Sequence, residues 1–507
     1  MRVKKTTLLT LSIIILAIVV RLIPGARTID DAYITFRYAQ NLLAGEGMVY
    51  NPGERVLGTT TPLYTFLMAG IGFILGGTNA PFPWIALIVN TIADAITCYL
   101  LILLGRRFGH ERAGYFTAFI WAIAPFSVTF AIGGMETSVF IALMTGTLYC
   151  YSQDRPVPAA LLASISMLTR PDALLFILPL AADRIRRSLP KSRFIPHPLP
   201  ITIPEVLAFS VPLSLWIIFG FTYFGNPLPN SILAKADAYH IDEGASFIRL
   251  LQHYSTPFLG HLTFGSTWII IGFILFPILY WLGGLSAIRR WPGSWAILIF
   301  PWFYLLAYSV ANPLLFRWYL TPPLPILFLG IFLGIERIAV DVKFSNLAYV
   351  GFIVAALLTL NGWTLNPDHG SERPAPEMAF IKLELLYENV AHRLQDLLHE
   401  DQTLAAGDIG ALGYFTGVRI LDTVGLITPE AAKYYPLDDA YYVINYAIAP
   451  DLIIENQPDY VVILEVYGRK GLLLDNDFLE AYTLIDRIET DMYGSEGMLI
   501  FARNSEL

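Results

Sequence analysis

Two adjacent carboxylates, Asp30 and Asp31, open the stretch Ile29-Asp30-Asp31-Ala32-Tyr33-Ile34-Thr35-Phe36-Arg37-Tyr38. Acids in such a place can take a proton from an attacking hydroxyl, ligate a hard cation or cap a helix. The pattern from Ala32 to Leu43 reads as a helix lying on a membrane surface, with Asp30 at its N-cap and Gly45-Glu46-Gly47 ending it. Arg37 then falls two turns from Asp30 on the same face. Glu54 and Asn230 follow in loops of similar character, and Glu136 is a further loop acid. Arg170, Lys235 and Arg317 are cations in loops near membrane depth, where charge is costly and usually functional. Guanidinium groups suit phosphate oxygens, and a leaving phosphate needs cations as negative charge builds on it. Each cation taken singly also fits snorkelling to the interface.

The elements that hold these residues are membrane helices. Of 507 residues, 55% are hydrophobic and 15% charged, and the mean hydropathy is +0.56. Soluble domains carry about 25% charged residues, so this chain has too little polar surface for a water-soluble fold. A first apolar segment, residues 6–24, follows Arg2, Lys4 and Lys5 and reads as an uncleaved helix with a cytoplasmic N-terminus. Basic loops at Arg106-Arg107 with Arg112, Arg155, Arg184 to Arg193 (including Lys191), Arg289-Arg290, and Arg337 with Lys343 belong in the cytoplasm. The loops between them, including 223–262 and 312–319, fall outside. Pro62–Leu75 is too short to span and is expected not to cross, whereas residues 84–104 cross. The short stretches 157–169 and 172–183 form a pair broken at Thr169-Arg170-Pro171, tolerable at depth only where protein or a wet cavity surrounds the break. The expectation is about eleven spans in residues 1–363, with an external first loop at 25–83.

The remainder, 364–507, has another character. From Trp363 onward there are 25 acidic and 9 basic residues, against 16 and 24 before it, so an acidic tail follows a basic body. Residues 377–400 read as an amphipathic helix, and Thr403–Ala406, 418–421, Tyr460–Leu464 and 498–501 as strands. Gly407-Asp408-Ile409-Gly410 after the first strand has the look of a phosphate cradle without its full fingerprint, and reads as a plain strand-to-helix turn. A soluble, extracytoplasmic α/β domain is expected, with no catalytic constellation of its own.

The first loop continues Tyr50-Asn51-Pro52-Gly53-Glu54-Arg55-Val56-Leu57-Gly58-Thr59-Thr60-Thr61-Pro62-Leu63-Tyr64. With the acid pair, Gly134-Met135-Glu136-Thr137, Thr169-Arg170-Pro171-Asp172, Asn226-Pro227-Leu228-Pro229-Asn230-Ser231 with Lys235, and Phe316-Arg317-Trp318-Tyr319, the order of motifs resembles the bacterial GT-C superfamily. These polytopic transferases move sugars from polyprenyl-phosphate carriers; they include protein O-mannosyltransferases, aminoarabinose transferases and terminal arabinofuranosyltransferases. Where relatives often carry an acid this chain has Leu57, and Glu54 is the substitute the resemblance offers.

The resemblance implies a polytopic α-helical GT-C-like membrane domain in the plasma membrane. It implies an inverting glycosyl transfer to an extracytoplasmic glycan, lipid or protein acceptor. Asp30, Asp31 and Glu136 would be catalytic, the pair's first acid slightly favoured as base. Arg317, Lys235 and Arg170 would hold the donor phosphate, with Arg37, Glu54 and Asn230 near the substrate. No cofactor is required, although Asp30, Asp31 and Glu54 offer oxygen ligands for a divalent metal ion. Membrane lipid is the expected surrounding partner, and no nucleic acid is expected. Asp94 lies mid-span with no evident partner in sequence, and His240, His253 and His261 fit no single-helix metal spacing. Cys98 and Cys150, each within an apolar run, do not read as a disulfide pair. The alternatives are a lipid or glycan transporter, for which an internal repeat is missing, and a non-catalytic scaffold, which would not need this set of acids and cations.

Overall fold

The computed structural model describes residues 2–189, 199–364, 373–377, 382–399 and 401–506. Lys191 and Arg193 of the expected basic loop, and residues 378–381 and 400 of the expected tail helix, lie outside the described residues. The chain divides into two compact units, one of residues 1–27, 83–216 and 244–379, the other of residues 28–82, 217–243 and 380–507.

The first unit is helical. Among the described residues five helices are long and apolar enough to cross a membrane: Phe82–Arg107, Ile203–Phe224, Ser266–Arg290, Pro292–Ala311 and Arg317–Asp341. A sixth arises if Glu111–Ile123 and Pro125–Ile132, bent by 48°, count as one span. Thr6–Leu22, Pro62–Leu75, Pro156–Thr169 and Asn346–Leu360 are apolar but shorter, so helix length alone does not reach eleven. The expected break is present: Pro156–Thr169 ends at an extended Arg170, and Leu174–Ser188 follows after a single 3-10 turn. Ile203, Val206, Leu207, Leu215 and Ile218 point outward from their helix, an apolar face suited to lipid rather than water.

Close packing within this unit relies on small residues, as membrane interfaces do. A Cβ at Gly334 would fall 2.6 Å from the Leu279 carbonyl carbon, so glycine lets its helix and the Ser266–Arg290 helix meet backbone to backbone. Asp94 does have a partner. Arg21 Nε donates to it at 2.8 Å, Trp121 Nε1 at 3.0 Å and Ser138 Oγ at 2.9 Å, and both charged side chains are fully buried. This satisfied ion pair ties together segments that share no sequence signal.

The second unit contains a five-stranded sheet in the order Arg419–Asp422, Thr403–Ala406, Tyr460–Leu464, Met498–Arg503, Tyr482–Ile488. The first three strands run parallel, Leu404 registering with Ile420 and with Tyr460. The others pair antiparallel, with Val462 opposite Ile500. Four strands fall where the sequence places them, within one or two residues. Tyr482–Ile488 was not expected, because its mixed, largely exposed face (Asp486, Arg487) carries little of a strand's apolar pattern. The amphipathic helix is observed over Lys382–Gln395, burying Leu383, Leu386, Tyr387, Val390 and Leu394.

Candidate active site

In the second unit the acid pair divides its labour. Asp30 opens the helix Asp30–Ala44, but its side chain caps a different helix. Its two carboxylate oxygens accept from Gly410 N and Ala411 N, each at 2.8 Å, at the start of Gly410–Thr416. A helix N-terminus offers unsatisfied N–H groups and a positive dipole end, which favour such an acid. Gly410 must lack a side chain here, since a Cβ would lie on the Asp30 carbonyl group. Seven residues on, Arg37 works at the other end of the same helix. Its guanidinium is buried and donates to the carbonyls of Gly413 and, at 2.7 Å, Val418, while Nε donates to Tyr50 O at 2.8 Å. Asp30 and Arg37, two turns apart on one face as the sequence suggests, thus clamp a two-turn helix of the tail.

The first loop extends this docking. Asn51 exchanges hydrogen bonds with Ile420, accepting from its N–H at 3.0 Å and donating to its carbonyl at 2.9 Å. It therefore occupies the edge of the sheet as a neighbouring strand would. Glu54 accepts from Arg419 at 2.7 Å and from Asn51 at 2.9 Å. Asn230 donates to Gly425 O at 2.6 Å, and its N–H to Leu57 O at 2.8 Å. With the Asp30 oxygens and Glu54 engaged in this way, these side chains do not form the three-acid metal cage considered from sequence. Among the described residues no group of three or more His, Cys, Asp or Glu side chains is arranged to hold a metal ion.

Asp31 is differently placed. It is half-buried, and its carboxylate lies 3.7 Å from Lys235 Nζ. Two acids from the tail join this neighbourhood. Asp408 accepts a hydrogen bond from the Tyr387 hydroxyl. Loss of bulk water raises its carboxyl to about 6, against the Tyr387 bond, with Asp31 adding to the rise and Lys235 opposing it. Glu384 is 5% exposed and its Oε2 has no hydrogen-bond partner. Burial pushes it to about 7, although the backbone N–H groups of Glu384 itself and of Asp30 pull the other way, and Asp408 and Asp31 add to the rise. Sequence reasoning missed both acids. Asp408 sits in a turn that reads as an ordinary connection, and Glu384 was passed over on the tail helix. The available signal was Glu384 itself, an acid between two buried leucines, Leu383 and Leu386.

The first unit holds the remaining candidates. Arg170 is buried between two acids: Nη1 donates to Glu136 at 2.9 Å, and Nε and Nη2 donate to Asp172 at 3.0 and 2.9 Å. The Tyr304 and Tyr308 hydroxyls donate to Asp172 at 3.4 Å, and Arg170 faces the Tyr319 ring at 5.1 Å. The one Arg170 charge is therefore shared between Glu136 and Asp172. Arg317 stands elsewhere, in a 3-10 turn at Arg317–Leu320. The helix Ala245–Ser255 runs alongside this segment, pinned where Ser246 bonds Asn312 and Pro313 and where His253 bonds Leu320 O at 2.8 Å. Arg249, between those pins, comes beside Arg317. Partial burial and then the neighbouring Arg317 charge lower the Arg249 guanidinium below its ordinary value. Both arginines reach the surface. Neighbouring like charges exposed together are what an anion site requires.

Residues 378–501 match the model of a domain of unknown function, DUF8728. Over 230 residues, 41% of this chain and 34% of the relative, the sequence is 28% identical to a terminal beta-(1->2)-arabinofuranosyltransferase of Mycobacterium tuberculosis. The match thus spans about a third of that relative's length. The Archaeoglobus fulgidus oligosaccharyltransferase, solved with zinc and sulfate, superposes with a TM-score of 0.56 at 13% identity, covering 98% of this chain and 73% of its own. ArnT from Cupriavidus metallidurans, solved with undecaprenyl phosphate, gives 0.54 at 12% identity, covering 98% of both chains. The chain has the GT-C fold. The GT-C reading also fits the apolar helices of an integral membrane protein.

Proposed function

We propose that this GT-C chain is a membrane glycosyltransferase that moves a sugar from a polyprenyl-phosphate-linked donor to an acceptor hydroxyl, with inversion. The observation that carries the proposal is the split within the acid pair. Asp30 is committed to a helix end, while Asp31 stays half-exposed beside Lys235 and Asp408. Asp31 is then the general base. It takes the acceptor's proton as the acceptor oxygen forms its bond to the sugar's anomeric carbon, while the bond from that carbon to the phosphate oxygen breaks. The lipid phosphate leaves with the bonding electrons. Guanidinium groups suit that growing charge, and within the first unit Arg317 and Arg249 are the pair proposed to bind a lipid phosphate.

In this reading Arg170 and Glu136 form a structural pair at the helix break, and Lys235 pairs with Asp31 rather than binding phosphate. Arg37, Glu54 and Asn230 dock the tail domain to the first loop. The site lies on the extracytoplasmic side, with the N-terminus inside and about eleven spans once short helices and broken pairs are counted. Reporter fusions after Arg107 and after Trp363 test that orientation: cytoplasmic and exterior signals respectively are expected, and a cytoplasmic signal from the second would overturn it. The chemistry is tested by following sugar release from a polyprenyl-phosphate donor in purified wild type and Asp31→Asn, where the variant should lose turnover while retaining its fold.

A further inference from the structure

The tail domain carries a buried acid that neither the fold nor the docking contacts consume. Glu384 Oε2 is buried without a partner. Buried polar atoms are almost always satisfied, so an orphan oxygen asks for a donor. It feels the backbone N–H of Asp30, at the start of the Asp30–Ala44 helix, where Asp31 is the next residue. Asp408 lies two residues before Gly410, the partner of Asp30, and is held by Tyr387. Tyr239 and Tyr467 feel the charge of Asp408, and their rings meet Tyr446 tilted and edge-on, at ring distances of 5.7 and 5.1 Å. Asp31, Lys235, Asp408, Tyr239 and Tyr467 are half-buried, whereas Glu384, Tyr387 and Tyr446 are buried. The arrangement groups half-buried mixed residues with buried acidic and aromatic ones.

We infer that this pocket binds the saccharide acceptor, with Glu384 and Asp408 of the tail receiving hydrogen bonds from sugar hydroxyls and the tyrosines covering the apolar ring face. Hydroxyl donors fit an unpartnered carboxylate oxygen, and aromatic walls with a few convergent polar groups are the usual make-up of a small-ligand site. The inference rests on the transferase reading for the acceptor's role, and it assigns a task to residues 378–501.

The test uses the full chain in nanodiscs, a linear arabinofuranose trisaccharide as probe, and saturation-transfer NMR. Glu384→Gln and Asp408→Asn are isosteric, and Tyr467→Ala removes a half-buried ring. Each should weaken probe binding by about tenfold or more, the scale of a lost hydrogen bond to a charged group. Affinity for polyprenyl phosphate should stay at the wild-type value, and each variant should still unfold in one cooperative thermal transition. Equal probe binding in the acid variants and wild type, or no binding by wild type, overturns the inference. So does a titration in which calcium or manganese binds wild type but not Glu384→Gln while the saccharide is indifferent. Probe binding that depends on Glu384 in a protein that transfers no sugar would sustain the pocket and sink the transferase reading.

Discussion

Replacing the two neighbouring acids separately should give opposite phenotypes. The Asp30 carboxylate accepts two N–H bonds of 2.8 Å at a helix start. Asparagine presents one oxygen and turns an NH2 group toward the second N–H. The change forfeits a charge-assisted bond of roughly 1.5–3 kcal/mol and a dipole contribution of about 0.3–1 kcal/mol. Against this, the variant no longer buries a titratable acid near Asp408. A net loss of about 2 kcal/mol is expected, which lowers Tm by roughly 2 °C if a chain of this size unfolds as one. Turnover per folded molecule should change little. Asp31→Asn removes only a half-exposed pair at 3.7 Å, worth at most about 1 kcal/mol, yet should cut turnover about 10²–10⁴-fold if Asp31 is the base. The assay pairs thermal unfolding in detergent with initial rates of sugar transfer. An Asp30→Asn protein with wild-type Tm and no turnover, alongside an active Asp31→Asn, would refute the division and return the base to Asp30.

Arg317→Lys and Arg249→Lys should each fold normally but bind polyprenyl phosphate more weakly, since lysine loses the planar fork; near wild-type donor affinity in both would reduce them to interfacial anchors. Asp94→Asn leaves the Arg21 charge buried without its counter-ion, so a destabilisation of about 3–5 kcal/mol is expected by thermal unfolding, and an unchanged Tm would contradict the pairing. Glu384 and Asp408 keep protons up to about 7 and about 6 in the folded chain, but release them near roughly 4 when unfolded. The folded state therefore binds more protons between those values, and their contribution to stability falls as pH rises from about 4 to about 7. Glu384→Gln removes its part of that fall, so its Tm relative to wild type should climb between pH 5 and pH 8; a constant difference would speak against the burial of Glu384.

The sequence revealed what local patterning records. Apolar runs, the break at Arg170, the order of four strands and the two-turn spacing of Asp30 and Arg37 all follow from residues close together in the chain. What it concealed depends on partners far apart. Asp30 reads as the cap of its own helix, and nothing local says that it caps one starting 380 residues later. Asp94 seemed unpaired because Arg21 sits on another helix, and Arg249 gained its meaning only when His253 and Ser246 pinned its helix beside Arg317. Asp408 and Glu384 read as ordinary tail residues because their neighbour Asp31 lies on the first loop, far away in sequence.

Sugar transfer itself is the most direct test. Purified chain in nanodiscs is given radiolabelled polyprenyl-phosphate sugars and a saccharide acceptor, and labelled product and freed lipid phosphate are counted for wild type and Asp31→Asn. The account predicts stoichiometric product and lipid phosphate from wild type with at least one donor, and loss of both in the variant. Intact donor moving between leaflets with no glycosidic product, equally in both proteins, would show a transporter and contradict it.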